Sequence, residues 1–193
     1  MMASLSDMVE YEFEHRTLSM EIVSHTLWAT AAAQATNGNG TTRVRVAWFA
    51  AWAAFPDLLA FAPAVIAGLW YRLWGATRIH AHHSAMRHGW LDFDLYEVTH
   101  SLVVFAPVFA VAWLIFRRPV WELLGWALHI LMDIPTHSER FPTPFLWPLS
   151  SYRIIGISWR QGWFMALDAS ALAVVFLLLW RSRRRVRQEG ESR

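Results

Sequence analysis

Apolar residues run through this chain in long stretches separated by short polar breaks. Val46 to Tyr71 holds one charged residue, Asp57, and exceeds the roughly 20 apolar residues that cross the hydrocarbon core of a bilayer. Pro56 and Pro63 each remove a backbone donor from this stretch, so its helix is expected to bend or break beside Asp57. Val98 to Phe116 is a further span, closed by Arg117-Arg118-Pro119. From that turn Val120 to Pro135 returns as the second arm of a helical hairpin. Trp163 to Trp180 crosses once more, and Met20 to Thr36, ended by the breaker Asn37-Gly38-Asn39-Gly40, is a fifth candidate. Arg72 to Glu97 is polar and His-rich, which predicts a loop outside the hydrocarbon. Thr136 to Gln161 carries Pro142, Pro144, Pro148 and Gly156 among aromatics, which predicts a stiff Pro-rich interfacial loop. The pattern as a whole predicts an all-α integral membrane bundle of four to five transmembrane helices.

Composition supports membrane over water. Residues are 55% hydrophobic and 17% charged, with a mean hydropathy of +0.26, against about 25% charged in soluble domains. Residues 1–19, with Asp7, Glu10, Glu12 and Glu14, lack the basic start and apolar core of a signal peptide and read as a peripheral extension. Residues 20–180 form the embedded domain and residues 181–193 a basic tail. Five Arg fall between Arg181 and Arg187, leaving the remainder net acidic. After an apolar run, such a tail reads as positive-inside anchoring and not as a nucleic-acid site. With Arg43, Arg45, Arg117 and Arg118 it is expected on the cytoplasmic side of a cell (inner) membrane. The absence of Cys excludes disulfides, iron–sulfur centres and a thiol nucleophile. All 17 basic residues are Arg, which excludes a Lys Schiff base and a P-loop.

Ionisable residues inside apolar segments face a bundle interior and mark sites by default. Here they are His25, Asp57, His100, Glu122, His129, Asp133 and Asp168. At about 1.5 Å per residue, His25, Asp57, His100, His129 and Asp133 stand some 16–25 Å from the cytoplasmic ends of their spans. All five can therefore converge in the outer half of the bundle. His129 and Asp133, four apart, share one helix face, and Glu122 extends the stripe seven residues earlier. His nitrogen and carboxylate oxygen without thiolate suit a divalent metal, zinc best, with manganese or iron as alternatives. A hydrogen-bonded His129–Asp133 pair joining two helices is the competing reading. Asp168, beside Ala166, Ala169 and Ser170, reads as close helix packing. His80, His82, His83 and His88 read as a solvated tract, and Asp92, Asp94 and Glu97 as carboxylates able to orient His100.

Taken in order, His25-Thr26, Phe55-Pro56-Asp57, Thr99-His100-Ser101, Leu124-Gly125-Trp126 through His129-Ile130-Leu131-Met132-Asp133, and Trp147-Pro148-Leu149-Ser150 resemble the YdjM-like family of inner-membrane metal-dependent hydrolases over roughly residues 20–150. The resemblance implies a helical membrane protein with a bound divalent metal and hydrolase chemistry. Where the family carries His-Arg-Gly before Thr-His-Ser, this chain has Leu95-Tyr96-Glu97-Val98, so Glu97 or Asp94 stands in for one ligand. More distantly, the ligand pattern looks like that of zinc-dependent phospholipase C.

The expected mechanism has His25, Asp57, His100, His129 and Asp133 holding one or two ions that acidify a water. Asp57 or Glu97 acts as general base. Arg140 or Arg153 clamps a phosphate, the substrate being an ester or phosphoester of a lipid. No Gly-x-Ser-x-Gly elbow is present for a serine hydrolase. A metal-ion or proton transporter, or a non-catalytic metal-stabilised bundle, would use the same inward residues.

Overall fold

The computed structural model describes residues 5–38, 43–74, 90–139, 142–159 and 161–191, and among them every regular element is helical. The helices are α1 (Leu5–Gly38), α2 (Val46–Trp74), α3 (Trp90–Thr99), α4 (Leu102–Phe116), α5 (Leu124–Thr136), entered through a 3-10 turn at Trp121–Leu123, and α6 (Gly162–Glu191). The all-α expectation holds, and two details differ. α1 is one helix from Leu5 to Gly38. The segment expected to be a loop up to Glu97 ends in α3. The break expected beside Asp57 is absent: α2 runs through Pro56 and Pro63, held by α1, α3 and α5 packed against it.

Among the described residues one helix, Gly162–Glu189, is long and apolar enough to cross a membrane; Val46–Ala62 and Leu102–Phe116 are shorter apolar helices. At 15 and 13 residues, α4 and α5 are about 22 and 20 Å long, below the hydrocarbon thickness of about 30 Å. The membrane-length helix α6 leans on α1 and leaves Leu167, Val174, Leu177 and Leu178 exposed. A polar staple fixes it. The Asp168 carboxylate accepts from Ser24 Oγ at 2.6 Å and from Trp28 Nε1 at 2.7 Å, so the expected packing role of Asp168 is carried by hydrogen bonds.

The other elements converge on α2. Small residues Ala29, Ala33 and Ala53 let α1 approach it closely, with Val44 and Phe49 filling the remaining space. α5 also approaches α2 closely: a Cβ added at Gly125 would lie 2.0 Å from the Phe49 carbonyl oxygen. Above this crossing Trp52 stacks on Trp126 with ring centroids 6.4 Å apart, and Phe55 and Phe105 meet Trp126 edge-on. The Trp126 indole donates to the Thr99 carbonyl, which ties α5 to the end of α3 one residue before His100.

At His100-Ser101 the chain leaves one helix and starts another. Ser101 has extended backbone (φ −106°, ψ 123°), and its hydroxyl accepts from Val103 and Val104 N–H as the α4 N-cap while donating to the Trp147 carbonyl. The Pro-rich segment is strapped down by backbone bonds from Gly156 N to His137 O (2.7 Å), Ile157 N to Pro135 O (2.9 Å) and Leu102 N to Phe145 O (3.0 Å). Its outer side exposes Leu149, Tyr152 and Ile155.

Gly125→Ala drives a methyl into the α2 backbone, so it is expected to destabilise the bundle by about 1–3 kcal/mol. Gly162→Ala, whose Cβ would meet nothing within 4 Å, is expected to stay within about 0.5 kcal/mol of wild type. Thermal melting in detergent checks both, and an unchanged Gly125→Ala midpoint would contradict the described crossing.

Candidate metal centre

Four helical segments deliver five side chains to one point in the interior. His25 comes from α1, Asp57 from α2, His100 from the α3–α4 break, and His129 and Asp133 from one face of α5. All five are buried, and His25, His100, His129 and Asp133 have no exposed surface at all. These are the residues that depth along the apolar segments singled out.

Their donor atoms form two sets, Asp57 with His100 and His129, and His25 with His129 and Asp133. In the first, Asp57 Oδ1 lies 3.3 Å from His100 Nε2 and 3.5 Å from His129 Nε2, and the two nitrogens are 3.2 Å apart. Asp133 Oδ2 lies against the same nitrogens at 3.0 Å (His129) and 3.4 Å (His100). Neighbouring ligands of a tetrahedral ion with bonds of about 2.0–2.1 Å are separated by roughly 3.3–3.4 Å. The observed spacings of 3.0–3.5 Å lie close to this.

Hydrogen bonding also favours a cation. His25 Nδ1 donates to the Glu21 carbonyl at 2.9 Å and His100 Nδ1 to the Tyr96 carbonyl at 3.1 Å, each one helical turn back. This network assigns the ring proton to Nδ1 and turns a bare Nε2 inward, as metal-binding imidazoles require. Those nitrogens face carboxylates, His25 Nε2 at 2.9 Å from Asp133 Oδ1 and His100 Nε2 at 3.3 Å from Asp57 Oδ1, so each contact calls for a cation or a proton between the two atoms. His25 Nε2, Asp133 Oδ1 and Asp133 Oδ2 are buried with no hydrogen-bond partner, a state that costs about 1–3 kcal/mol per atom and more for a charge. The donor set fits a divalent ion.

Comparison with protein-family models, curated proteins and solved structures gives no match to this chain. The site therefore stands on its geometry.

Other expected residues fall elsewhere. Glu122 does not extend the His129–Asp133 stripe; its carboxylate accepts from Arg45 Nε at 2.9 Å at the opposite end of the helix. The 3-10 turn at Trp121–Leu123 breaks the continuous α-helical register that the seven-residue spacing assumed. Glu97 and Arg153, expected as base and phosphate clamp, face each other at 3.3 Å, both partly exposed. Arg140 and the His80, His82, His83 and His88 tract lie outside the described residues, as do the side chains of Asp92 and Asp94.

Four neighbours went unread in the sequence. Glu21 and His137 pair at 3.4 Å, and His137 Nδ1 lies 3.6 Å from Asp133 Oδ1. Spacing gives a signal for both, since His129, Asp133 and His137 repeat every four residues and Glu21 stands four before His25. Tyr96 stacks on His100 with centroids 4.0 Å apart. Burial, with the Asp133 and Asp57 charges adding to it, pushes its phenol well above the ordinary value. Trp159 closes the edge of His25 at 5.4 Å.

Added Zn²⁺ is expected to raise the melting temperature of wild type, because a ligand at 100 times its Kd stabilises by about 2.7 kcal/mol. In His129→Ala, which loses the nitrogen common to both sets, the shift is expected to vanish. Melting curves with zinc and with chelator check this, and equal shifts in the two proteins would place the zinc elsewhere.

Proposed function

We propose that this protein is a membrane-embedded metal-dependent hydrolase that cleaves an ester or phosphoester, of a lipid by preference, through a metal-activated water. The observation that carries the reading is the buried convergence of Asp57, His100, His129 and Asp133, whose facing nitrogen and oxygen atoms lie 3.0–3.5 Å apart. A divalent ion held by these residues would supply Lewis acidity and lower the pKa of a water toward neutrality.

The chain's own residues do the rest. The Glu21 and Tyr96 carbonyls fix the tautomers of His25 and His100. Asp57 Oδ1, committed to the nitrogens of His100 and His129, serves as a ligand, which leaves the role of base to Glu97. Glu97 and Arg153 hold one another on the exposed side. A phosphate that captures the Arg153 guanidinium frees the Glu97 carboxylate to take a proton. The Tyr96 ring stacks on the face of His100 and holds the imidazole plane.

A multi-pass placement in the cell membrane with a cytoplasmic Arg tail is part of the proposal. It is supported by α6, by exposed Val111, Trp113, Leu114, Ile115 and Phe116 on α4, and by exposed Leu149 and Ile155 on the Pro-rich segment. A lipid substrate would reach the site from that apolar surface. The order of motifs similar to the YdjM-like family agrees with this reading.

One observation favours a second reading. Asp133 Oδ2 lies close enough to His100 and His129 to fill the fourth position of an ion, and closed four-ligand sites are commonly structural. A metal that only stabilises the bundle would use the same residues.

Hydrolysis of fluorogenic lipid esters and phosphodiesters in mixed micelles separates the two. Turnover by zinc- or manganese-loaded wild type is expected to fall at least ~100-fold in His129→Ala, about 2.7 kcal/mol of transition-state stabilisation. Arg153→Ala is expected to raise KM more than it lowers kcat. Loaded, folded wild type without turnover on any of these substrates would contradict the hydrolase and leave the structural metal.

A further inference from the structure

Between α1, α5 and α6 a cleft of about 500 Å³ stays open. α6 leans on α1 there, and Ala31, Ala32 and Ala35 of α1 are too small to fill the space beside Leu128 and Met132 of α5. On α6 the cleft runs from Phe164 to Val175, which at 1.5 Å per residue is about 16 Å. That is roughly half the hydrocarbon thickness of about 30 Å, the reach of one acyl chain in one leaflet. A length of 16 Å of helix some 10 Å across would need roughly 1,200 Å³, so a further helix does not fit. Ligand pockets span about 300–1,000 Å³ and are mostly apolar with a few placed polar groups, and this cleft has that character.

Most polar groups that line it are already engaged. Asp168 accepts from Ser24 Oγ and Trp28 Nε1, and Thr136 Oγ1 donates to the Met132 carbonyl at 2.7 Å. Trp159 is the exception. It is 7% exposed, and its Nε1–H is buried with no hydrogen-bond partner, whereas a buried indole N–H ordinarily finds an acceptor. The same ring meets His25 edge-on at 5.4 Å and Phe164 at 5.2 Å. Trp159 therefore stands where the cleft abuts the candidate metal centre, and Val175 lies at the far end. The free donor calls for an oxygen there, and the apolar remainder calls for a chain.

We propose that this cleft binds one acyl chain of an ester lipid, the ester carbonyl accepting from Trp159 Nε1–H and the tail lying between α1, α5 and α6 toward Ala35 and Val175. The assignment rests on the lipid-hydrolase reading for what the bound molecule is, and deepens it by naming the part of the substrate that is held and the side from which it is held. The carbonyl end comes to rest beside His25, and the α6 face with exposed Leu167, Val174 and Leu178 continues the apolar surface along which the chain enters.

Photo-crosslinking of the full-length protein, reconstituted in bilayers containing phosphatidylglycerol with a diazirine at the end of one acyl chain, tests this without an activity assay. In wild type the label is expected on peptides holding Ala35, Leu128 and Val175 as well as on the outer face of α6. Ala32→Phe fills the cleft and is expected to abolish the inner label while leaving that on Leu167 and Leu178. Ala35→Phe, at an exposed position, is expected to do the same for the far end if Ala32→Phe does not fold. The ether-linked analogue, which lacks the carbonyl, is expected to label the cleft of wild type about threefold to tenfold less than the ester, the worth of one neutral hydrogen bond, and Trp159→Phe is expected to label equally with both. Label confined to outer faces, or inner label unchanged in both Ala variants, overturns the inference and leaves the hydrolase standing. Equal ester and ether labelling of the wild-type cleft overturns the carbonyl contact. A labelled cleft in loaded protein that hydrolyses nothing supports the chain site and counts against the hydrolase.

Discussion

Two carboxylates and three imidazoles share one buried interior, where His100 Nε2 meets Asp57 Oδ1 at 3.3 Å and His129 Nε2 at 3.2 Å while His25 Nε2 and both oxygens of Asp133 have no hydrogen-bond partner. Isolated buried charge costs several kcal/mol per ion even after relaxation, and unpaired lone pairs add to it. Asp133 concentrates the problem: it is fully buried, neither oxygen has a hydrogen-bond partner, and three imidazole nitrogens lie within 3.4 Å. A divalent cation held there would answer the charge, the lone pairs and the spacing together.

Each structural device near the centre serves to hold a donor in place. Gly125 allows α5 to touch the α2 backbone at Phe49, which brings His129 and Asp133 opposite Asp57. The Trp126 bond to Thr99 and the Ser101 cap with its bond to Trp147 fix the α3–α4 break, and so fix His100. Asp168 ties the membrane-length α6 to Ser24 and Trp28, on either side of His25 along α1. The candidate donors are thus carried on helices and on one tightly capped break, supports more rigid than loops.

Much of the site was legible in the sequence because ionisable residues in apolar helices have few places to go. His25, Asp57, His100, His129 and Asp133 stood out as ionisable residues at similar depth in apolar segments, His129 and Asp133 also by their four-residue spacing. Periodicity served less well where the backbone left the α-helical register, as with Glu122 in its 3-10 turn. Breaks were harder still. A proline pair signals a broken helix by local sterics, yet α2 is supported on several sides and continues, while α3 forms in a stretch whose polarity reads as loop. Span counting assumed that each apolar run was long enough to cross alone, whereas α4 and α5 are short. Glu21 and His137 were hidden because their place depends on how α1 packs against the end of α5.

The most direct test of the central claim is X-ray absorption at the zinc edge of the full-length protein, purified in detergent and loaded with one equivalent of zinc. The account predicts nitrogen and oxygen scatterers at about 2.0–2.1 Å with the outer-shell pattern of two imidazoles. A first shell of water oxygens without imidazole scattering, or zinc that does not stay with the folded protein, would contradict it.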